Sequence, residues 1–157
     1  MFRSHLSRPF TAIYMLISSA LLFISFIAIG QPKADSLNIP VFRDYKGISL
    51  GMTVEQTHKK LGTPQYKEEK IESYTISENE IVSIFYDDQH KIIALTIEYI
   101  TNIKAPVPKT ILGMDITPKA DGSISEMIRY PKAGYWVSYM RTAGNEPTIT
   151  IAMQGYK

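Results

Sequence analysis

The first periodic pattern along the chain is helical. It lies in GMTVEQTHKKLGTP, where Val54, Thr57, His58 and Leu61 recur at the spacing of one helix face. The segment between its flanking glycines gives about two and a half turns, which is too short to be stable alone in water. The pattern therefore predicts a short helix that packs on another element.

Both ends of this helix are marked by residues that start or stop helices. Thr53 is a good N-cap, and Gln56 three residues later completes a capping box. Gly62 suits the left-handed position after a helix, and Pro64 prevents the helix from continuing. The predicted helix thus begins after Thr53 and ends before Gly62.

A period of two comes after the helix. Residues 71–77 alternate weakly, and residues 81–100 form two β-branched and aromatic runs around a polar loop at 87–90. This arrangement is typical of an antiparallel hairpin. Both faces of the hairpin are apolar at its middle, which favours a strand pair covered on both sides.

Beyond a proline-containing bend at 101–109, the pattern predicts strands only. Apolar runs at 110–117, 124–130, 135–141 and 148–154 are separated by turn-forming residues. The fold class predicted is α+β: a short N-terminal helix, after a leader or anchor helix, packs on an antiparallel β-sheet, and a C-terminal antiparallel β-meander completes the chain. Two short echoes, LGMT with LGMD and the dipeptides Val82-Ser83 with Val137-Ser138, leave an internal duplication open.

The N-terminus predicts export. Arg3 and Arg8 precede an uncharged apolar run at 11–30, and positive residues before such a run favour export of the chain on its C-terminal side. A cleaved signal peptide ending at Ala28-Ile29-Gly30 and an uncleaved transmembrane anchor are both open, because the run is long enough to span a bilayer. Residues 31–40 are interpreted as a linker and 41–157 as one domain, periplasmic and either soluble or tethered to the inner membrane through 11–30.

Composition removes several classes of partner. The chain has no cysteine, which excludes disulfides, thiolate chemistry and a lipid-modified N-terminal cysteine. Its net charge is +2, and the two leader arginines account for that excess. A domain without a basic stripe is not expected to bind nucleic acid.

The sequence offers no catalytic constellation. His58 is interpreted as a partly buried helix residue and His90 as a turn residue, and Asp87-Asp88 as solvated turn formers. The mixed charges of residues 67–72 indicate a solvated surface. We therefore predict no catalytic residue, no metal site, no cofactor and no enzyme.

The most plausible binding face by composition is an aromatic group. Tyrosine and tryptophan favour interfaces, although the same rings could form a second core layer of the meander. The group consists of Tyr130, Tyr135, Trp136 and Tyr139.

The segment around the helix resembles the SmpA/OmlA family, which includes the small lipoprotein subunit of the outer-membrane β-barrel assembly machinery. The resemblance covers about residues 48–99, within a module at 41–100, and leaves the meander at 110–157 outside. It implies an α+β sandwich and a role in binding rather than catalysis, and the matched positions specify the fold rather than a site. These positions are Gly51, Met52, Thr53, Glu55, Gln56, Leu61, Gly62 and Pro64.

The predicted function is that of a non-catalytic cell-envelope protein that acts by protein–protein interaction. The alternative is an inhibitor or immunity-type module that binds a periplasmic hydrolase, since the module is also similar to the β-lactamase-inhibitor fold. An enzyme with a dispersed site around His58 or His90 is the third hypothesis.

Overall fold

The computed structural model describes residues 39–100 and 104–156, and these form one antiparallel sheet with two short helices. Twice along the chain, a short helix is followed by a group of strands. In chain order they are α1 (Val54–Leu61), β1 (Tyr66–Lys67), β2 (Ile71–Ser77), β3 (Glu80–Tyr86), β4 (Ile92–Tyr99), α2 (Pro108–Leu112), β5 (Ile124–Tyr130), β6 (Tyr135–Arg141) and β7 (Ile149–Gly155).

The sheet consists of two meanders joined at one seam. Its strand order is β1-β2-β3-β4-β7-β6-β5, so that β4 and β7 pair antiparallel in the middle, with Ile97 opposite Ile151. A short helix precedes each meander. Val82-Ser83 on β3 and Val137-Ser138 on β6 both lie on an interior strand of their meander, with the valine buried. The valine–serine echo therefore has a structural counterpart, whereas the two LGM segments lie on opposite ends of their helices.

The α+β prediction was wrong. The helices have eight and five residues, and the seven strands dominate the described residues, so that the fold is β-rich. The strand predicted at 110–117 is also absent: Thr110 to Leu112 belong to α2. Pro108 in the first turn and Gly113, with φ 77° and ψ 6°, set the ends of that helix. These local signals override the β-branched run between them.

One face of the sheet carries the core. Its large buried side chains include Tyr74, Ile84, Leu95, Ile97 and Met153, all at most 1% exposed. The N-terminal segment adds Tyr45 and Ile48, and α2 adds Ile111 and Leu112 to the same cluster. The opposite face has no such layer within the described residues, so the hairpin predicted to be covered on both sides is covered on one.

The N-terminal segment before α1 is a tight turn held against the core face. Tyr45 and Ile48 exchange both backbone hydrogen bonds, at 2.9 and 2.8 Å, around Lys46 and Gly47, which have φ of 50° and 76°. Two positive φ angles are characteristic of a type I′ turn. The Tyr45 hydroxyl donates to Glu80 Oε1 at 2.7 Å, which ties the turn to β3.

The predicted helix is confirmed as α1, with the predicted capping box. The Thr53 Oγ1 accepts from the Gln56 N–H, and the Gln56 side chain accepts from the Thr53 N–H at 2.9 Å. Gly62 follows with φ 82° and ψ −148°, so its φ is positive as predicted but its ψ is not left-handed helical.

Replacing Thr53 by alanine is expected to lower the free energy of unfolding by about 1 kcal/mol, because the backbone N–H of Gln56 loses its side-chain acceptor. The measurement is the urea midpoint. Thr63→Ala, in the exposed loop after α1, is the matched control and should stay within about 0.5 kcal/mol of the unchanged chain. Equal effects of the two substitutions would contradict the capping role.

The prediction of a transmembrane helix is wrong for the part of the chain that the structure describes. No helix within residues 39–100 and 104–156 has the length and apolar content that crossing a membrane requires. The run at 11–30, on which the predicted anchor or signal peptide rested, lies outside the described residues, as does most of the predicted linker.

Candidate functional site

A buried carboxylate forms the most concentrated polar cluster of the described residues. Glu72 on β2 is 1% exposed, and its Oε2 accepts hydrogen bonds from the Tyr74 hydroxyl at 2.7 Å and from the Tyr86 hydroxyl at 3.0 Å. His58 Nε2 lies 3.0 Å from both carboxylate oxygens, and Lys67 Nζ lies 3.1 Å from Oε1. One carboxylate thus connects α1, β1, β2 and β3.

The electrostatics of this cluster favour a permanent anion. Burial by itself would raise the pKa of Glu72, but hydrogen bonds from Tyr74, His58, Lys67 and Tyr86 outweigh it, and the pKa is lowered. Burial, together with the hydrogen bond to and charge of Glu72, raises the pKa of Tyr86 to about 12, although a hydrogen bond with Thr57 acts to lower it. Burial also raises the pKa of Tyr74, so both tyrosines stay protonated donors at neutral pH.

Chemically, this arrangement fixes groups in place. Both oxygens of Glu72 are already bonded to donors, so neither is open to take a proton from a substrate. His58 Nε2 must carry a proton to donate to the anion, which orients the ring of the helix residue toward the sheet. The cluster explains how an eight-residue helix is held, since α1 buries only Thr57 completely.

Sequence reasoning missed this cluster. Residues 67–72 were interpreted as a solvated surface because they mix acidic and basic side chains, but Glu72 is buried. The available signal was strand parity: Glu72 shares a face with Tyr74 two residues later, and that face is the core face. His58 is partly buried, as predicted, and His90 lies in the hairpin turn with φ 57°.

The other candidate surface is the open face of the sheet. Three rows of six residues cross β2, β3, β4, β7, β6 and β5 in register on this face. The rows carry only two charged residues, Glu98 and Arg129. The central row consists of small or unbranched side chains: Ser73, Ser83, Thr96, Ala152, Ser138 and Met127.

A trough of about 310 Å³ runs along this face between two aromatic rings. Phe85 and Trp136 flank it, and Ala94, Thr96 and Ala152 contribute to its floor. The small side chains of the floor leave the space that the aromatic rings border. The trough therefore has two aromatic walls and a floor of mostly small side chains, with the amide of Gln154 between Ala94 and Trp136.

The four predicted aromatic residues divide between the two faces. Tyr130 and Tyr139 are each 2% exposed and belong to the core. Tyr135 is partly buried on the same face, with its ring centroid 5.9 Å from that of Tyr130. Trp136 alone lies on the open face, beside the trough. The structure thus brings three of the group together in the core layer and separates the fourth from them.

The fold-signature residues lie where turns and caps require them. Gly51 has φ 81° before α1, and Met52 Sδ accepts from the Ser49 N–H at 3.2 Å. Thr53 and Gly62 cap the helix, and Leu61 packs on the edge of the core. Pro64 is partly buried just after α1. The described residues include no group of three potential ligands among His, Cys, Asp and Glu that could hold a metal ion.

Comparison with known proteins gives a distant likeness. No family model and no curated protein matches the chain. The crystal structure of a DUF4309 family protein (YjgB) from Bacillus subtilis is similar over 78% of this chain and 92% of that chain, with 11% sequence identity and a TM-score of 0.46. By its fold, the protein is a β-rich single-sheet domain with one open face.

Proposed function

We propose that this domain binds another protein through the open face of its sheet, as a non-catalytic module of the cell envelope. The observation that carries the proposal is the charge-poor face with its trough between Phe85 and Trp136. Depletion of charge and enrichment in aromatic residues distinguish the centres of protein interfaces from other surfaces. The envelope location rests on the N-terminal sequence, with two arginines before an uncharged run.

The size of the face supports a protein partner. With strands about 4.8 Å apart and same-face residues about 6.8 Å apart, its three rows cover roughly 600 Å². A stable interface buries about 600 to 1,000 Å² on each partner. The face therefore accounts for a contact at the lower end of that range without help from loops.

The chemistry of the face limits the partner. Because Glu98 and Arg129 are its only charges and both lie in its outer rows, the partner's contacting surface should be apolar or hydroxyl-rich and nearly uncharged. One apolar side chain of the partner should fill the trough next to Trp136. Desolvating an unpaired charge against this surface would cost several kcal/mol.

Ala152→Glu is expected to weaken partner binding at least tenfold, because it places a carboxylate on the floor of the trough. Ala120→Glu, in an exposed turn, is the matched control and should leave binding unchanged. A photo-crosslinking residue at Met140, which is 51% exposed on the open face, should give one defined protein adduct in intact cells. The same residue at Lys119 should not.

The adduct must depend on the face if the proposal is right. It should disappear in Ala152→Glu and persist in Ala120→Glu, with urea midpoints of both variants showing that they fold. Adducts of equal yield from positions 140 and 119, or adducts insensitive to Ala152→Glu, would overturn the proposal. If the captured protein is a hydrolase whose activity falls when this chain is added at a one-to-one ratio, the protein contact is that of an inhibitor, as in the alternative hypothesis.

A further inference from the structure

A second cavity lies on the core side of the sheet, away from the open face. It is a cleft of about 560 Å³ between the N-terminal segment and the paired ends of β6 and β7. We propose that this cleft is a binding site for a small organic anion with a flat apolar body, of the class of aromatic monocarboxylates. The volume is in the range of small-molecule sites, which are typically about 300 to 1,000 Å³.

The charge of the cleft selects an anion. Among the described residues that line it, Arg43 is the single charged one. Its Nε donates to the Pro40 carbonyl at 2.9 Å, and within the described residues this is the only hydrogen bond of its side chain. The guanidinium is therefore held through Nε. Its two terminal amino groups can donate a pair of hydrogen bonds to a carboxylate, which is the bidentate geometry that arginine favours.

The rest of the lining selects the apolar body. Leu50 and Met153 contribute aliphatic surface, and Tyr135 contributes an aromatic ring. The Tyr135 backbone belongs to β6, and its hydroxyl donates to the Phe42 carbonyl at 3.1 Å, so the side chain bridges β6 and the N-terminal segment. A planar ligand can lie against this ring with its carboxylate directed to Arg43.

A glycine keeps the cleft open. Gly155 at the end of β7 pairs with Tyr135, and a Cβ at this position would meet no atom closer than 3.6 Å. Its φ is not in the left-handed region, so a larger residue can be placed there without backbone strain. The backbone conformation at position 155 does not require glycine. The absence of a side chain there therefore serves to leave space in the cleft.

This site lies on the other face of the sheet from the proposed protein contact, and the two cavities share only Met153 among the described residues that line them. Tyr135 and Trp136 are neighbours in β6 and point to opposite faces of the sheet. A variant that blocks the trough should leave the cleft unchanged, and a variant that fills the cleft should leave the trough unchanged.

The test uses the full chain and 2-naphthoate as the probe, with binding measured by titration calorimetry and by amide chemical shifts near Gly134. Binding with a dissociation constant of about 1 mM or below is expected. The uncharged analogue 2-naphthamide should bind at least fivefold more weakly. Arg43→Gln should weaken 2-naphthoate at least tenfold, whereas Lys119→Gln, an exposed cation elsewhere, should change it less than twofold.

Two further variants separate the cleft from other surfaces. Gly155→Leu should abolish binding by filling the cleft, and Ala133→Phe at its rim serves the same purpose if Gly155→Leu does not fold. Ala152→Glu on the opposite face should leave binding within twofold. No binding at millimolar probe, equal binding of the amide, or binding that survives both Arg43→Gln and the filling variants would overturn the proposal.

Discussion

Glu72→Gln is expected to lower the free energy of unfolding by about 3 kcal/mol. The substitution keeps the shape of the side chain but removes the charge that His58, Lys67, Tyr74 and Tyr86 all contact. It also turns one acceptor into an amide that points hydrogens at donors. Hydrogen bonds to a charged group contribute about 1.5 to 3 kcal/mol each. The buried donors Tyr74 and Tyr86 supply most of this energy, because Lys67 and His58 are partly exposed and screened by water.

The pH dependence of stability provides a second readout of the same cluster. The pKa of Glu72 is lower in the folded chain than in the unfolded chain. Its stabilisation is therefore present above the ordinary pKa of a glutamate and is lost as the pH falls through the lowered value. The urea midpoint of the unchanged chain should decline with acidification below about pH 4.5, and that decline should be shallower in Glu72→Gln.

Glu69→Gln is the matched control, since Glu69 is an exposed glutamate in the same mixed-charge segment. It should change stability by less than about 0.5 kcal/mol. A Glu72→Gln variant as stable as Glu69→Gln, or one with the same acid dependence as the unchanged chain, would show that the cluster does not hold α1 to the sheet.

Ile151→Ala is expected to cost about 3 to 4 kcal/mol, within the range of about 2 to 5 kcal/mol typical of a fully buried isoleucine. Ile151 is 0% exposed and lies opposite Ile97 at the seam where β7 meets β4. Because this seam joins the two meanders, weakening its packing by Ile151→Ala should destabilise both meanders together.

Two probes can monitor the two meanders separately. The fluorescence of Trp136, the single tryptophan, reports on β6, and amide hydrogen exchange in β3 reports on the first meander. Both should shift by similar amounts in Ile151→Ala, and Met140→Ala on the exposed face should shift neither by more than about 0.5 kcal/mol. A loss confined to Trp136 would mean that the meanders fold as separate units.

Local signals in the sequence were sufficient where short-range chemistry decides. The start of α1 follows from the reciprocal bonds of Thr53 and Gln56, and the last three strands follow from alternation between turn residues. These contacts join residues at most four positions apart, or a strand to the next strand in the chain. A short stretch of sequence is therefore enough to predict them. The strand predicted at 110–117 failed because Pro108 and Gly113 bound a helix too short to show a period.

The site residues depended on contacts that the sequence cannot show. Glu72 sits fourteen residues from both His58 and Tyr86, and its charge run gave no sign of burial. Trp136 was grouped with three tyrosines, although strand alternation already places it on the face opposite Tyr135 and Tyr139. Only the register of the sheet shows that its neighbours on that face are Phe85, Ala94 and Ala152.

The sequence alone therefore determined three local features: a capped helix, a hairpin and a late meander. Each is fixed by hydrogen bonds between near neighbours and by the period of side-chain directions. Only the tertiary structure decided that β4 and β7 join two meanders into one sheet. It also decided that one face of the sheet is buried while the other stays open. Burial depends on contacts between residues that are far apart in the sequence. The free energy that stabilises those contacts comes from burying the whole hydrophobic core, so no single segment encodes it.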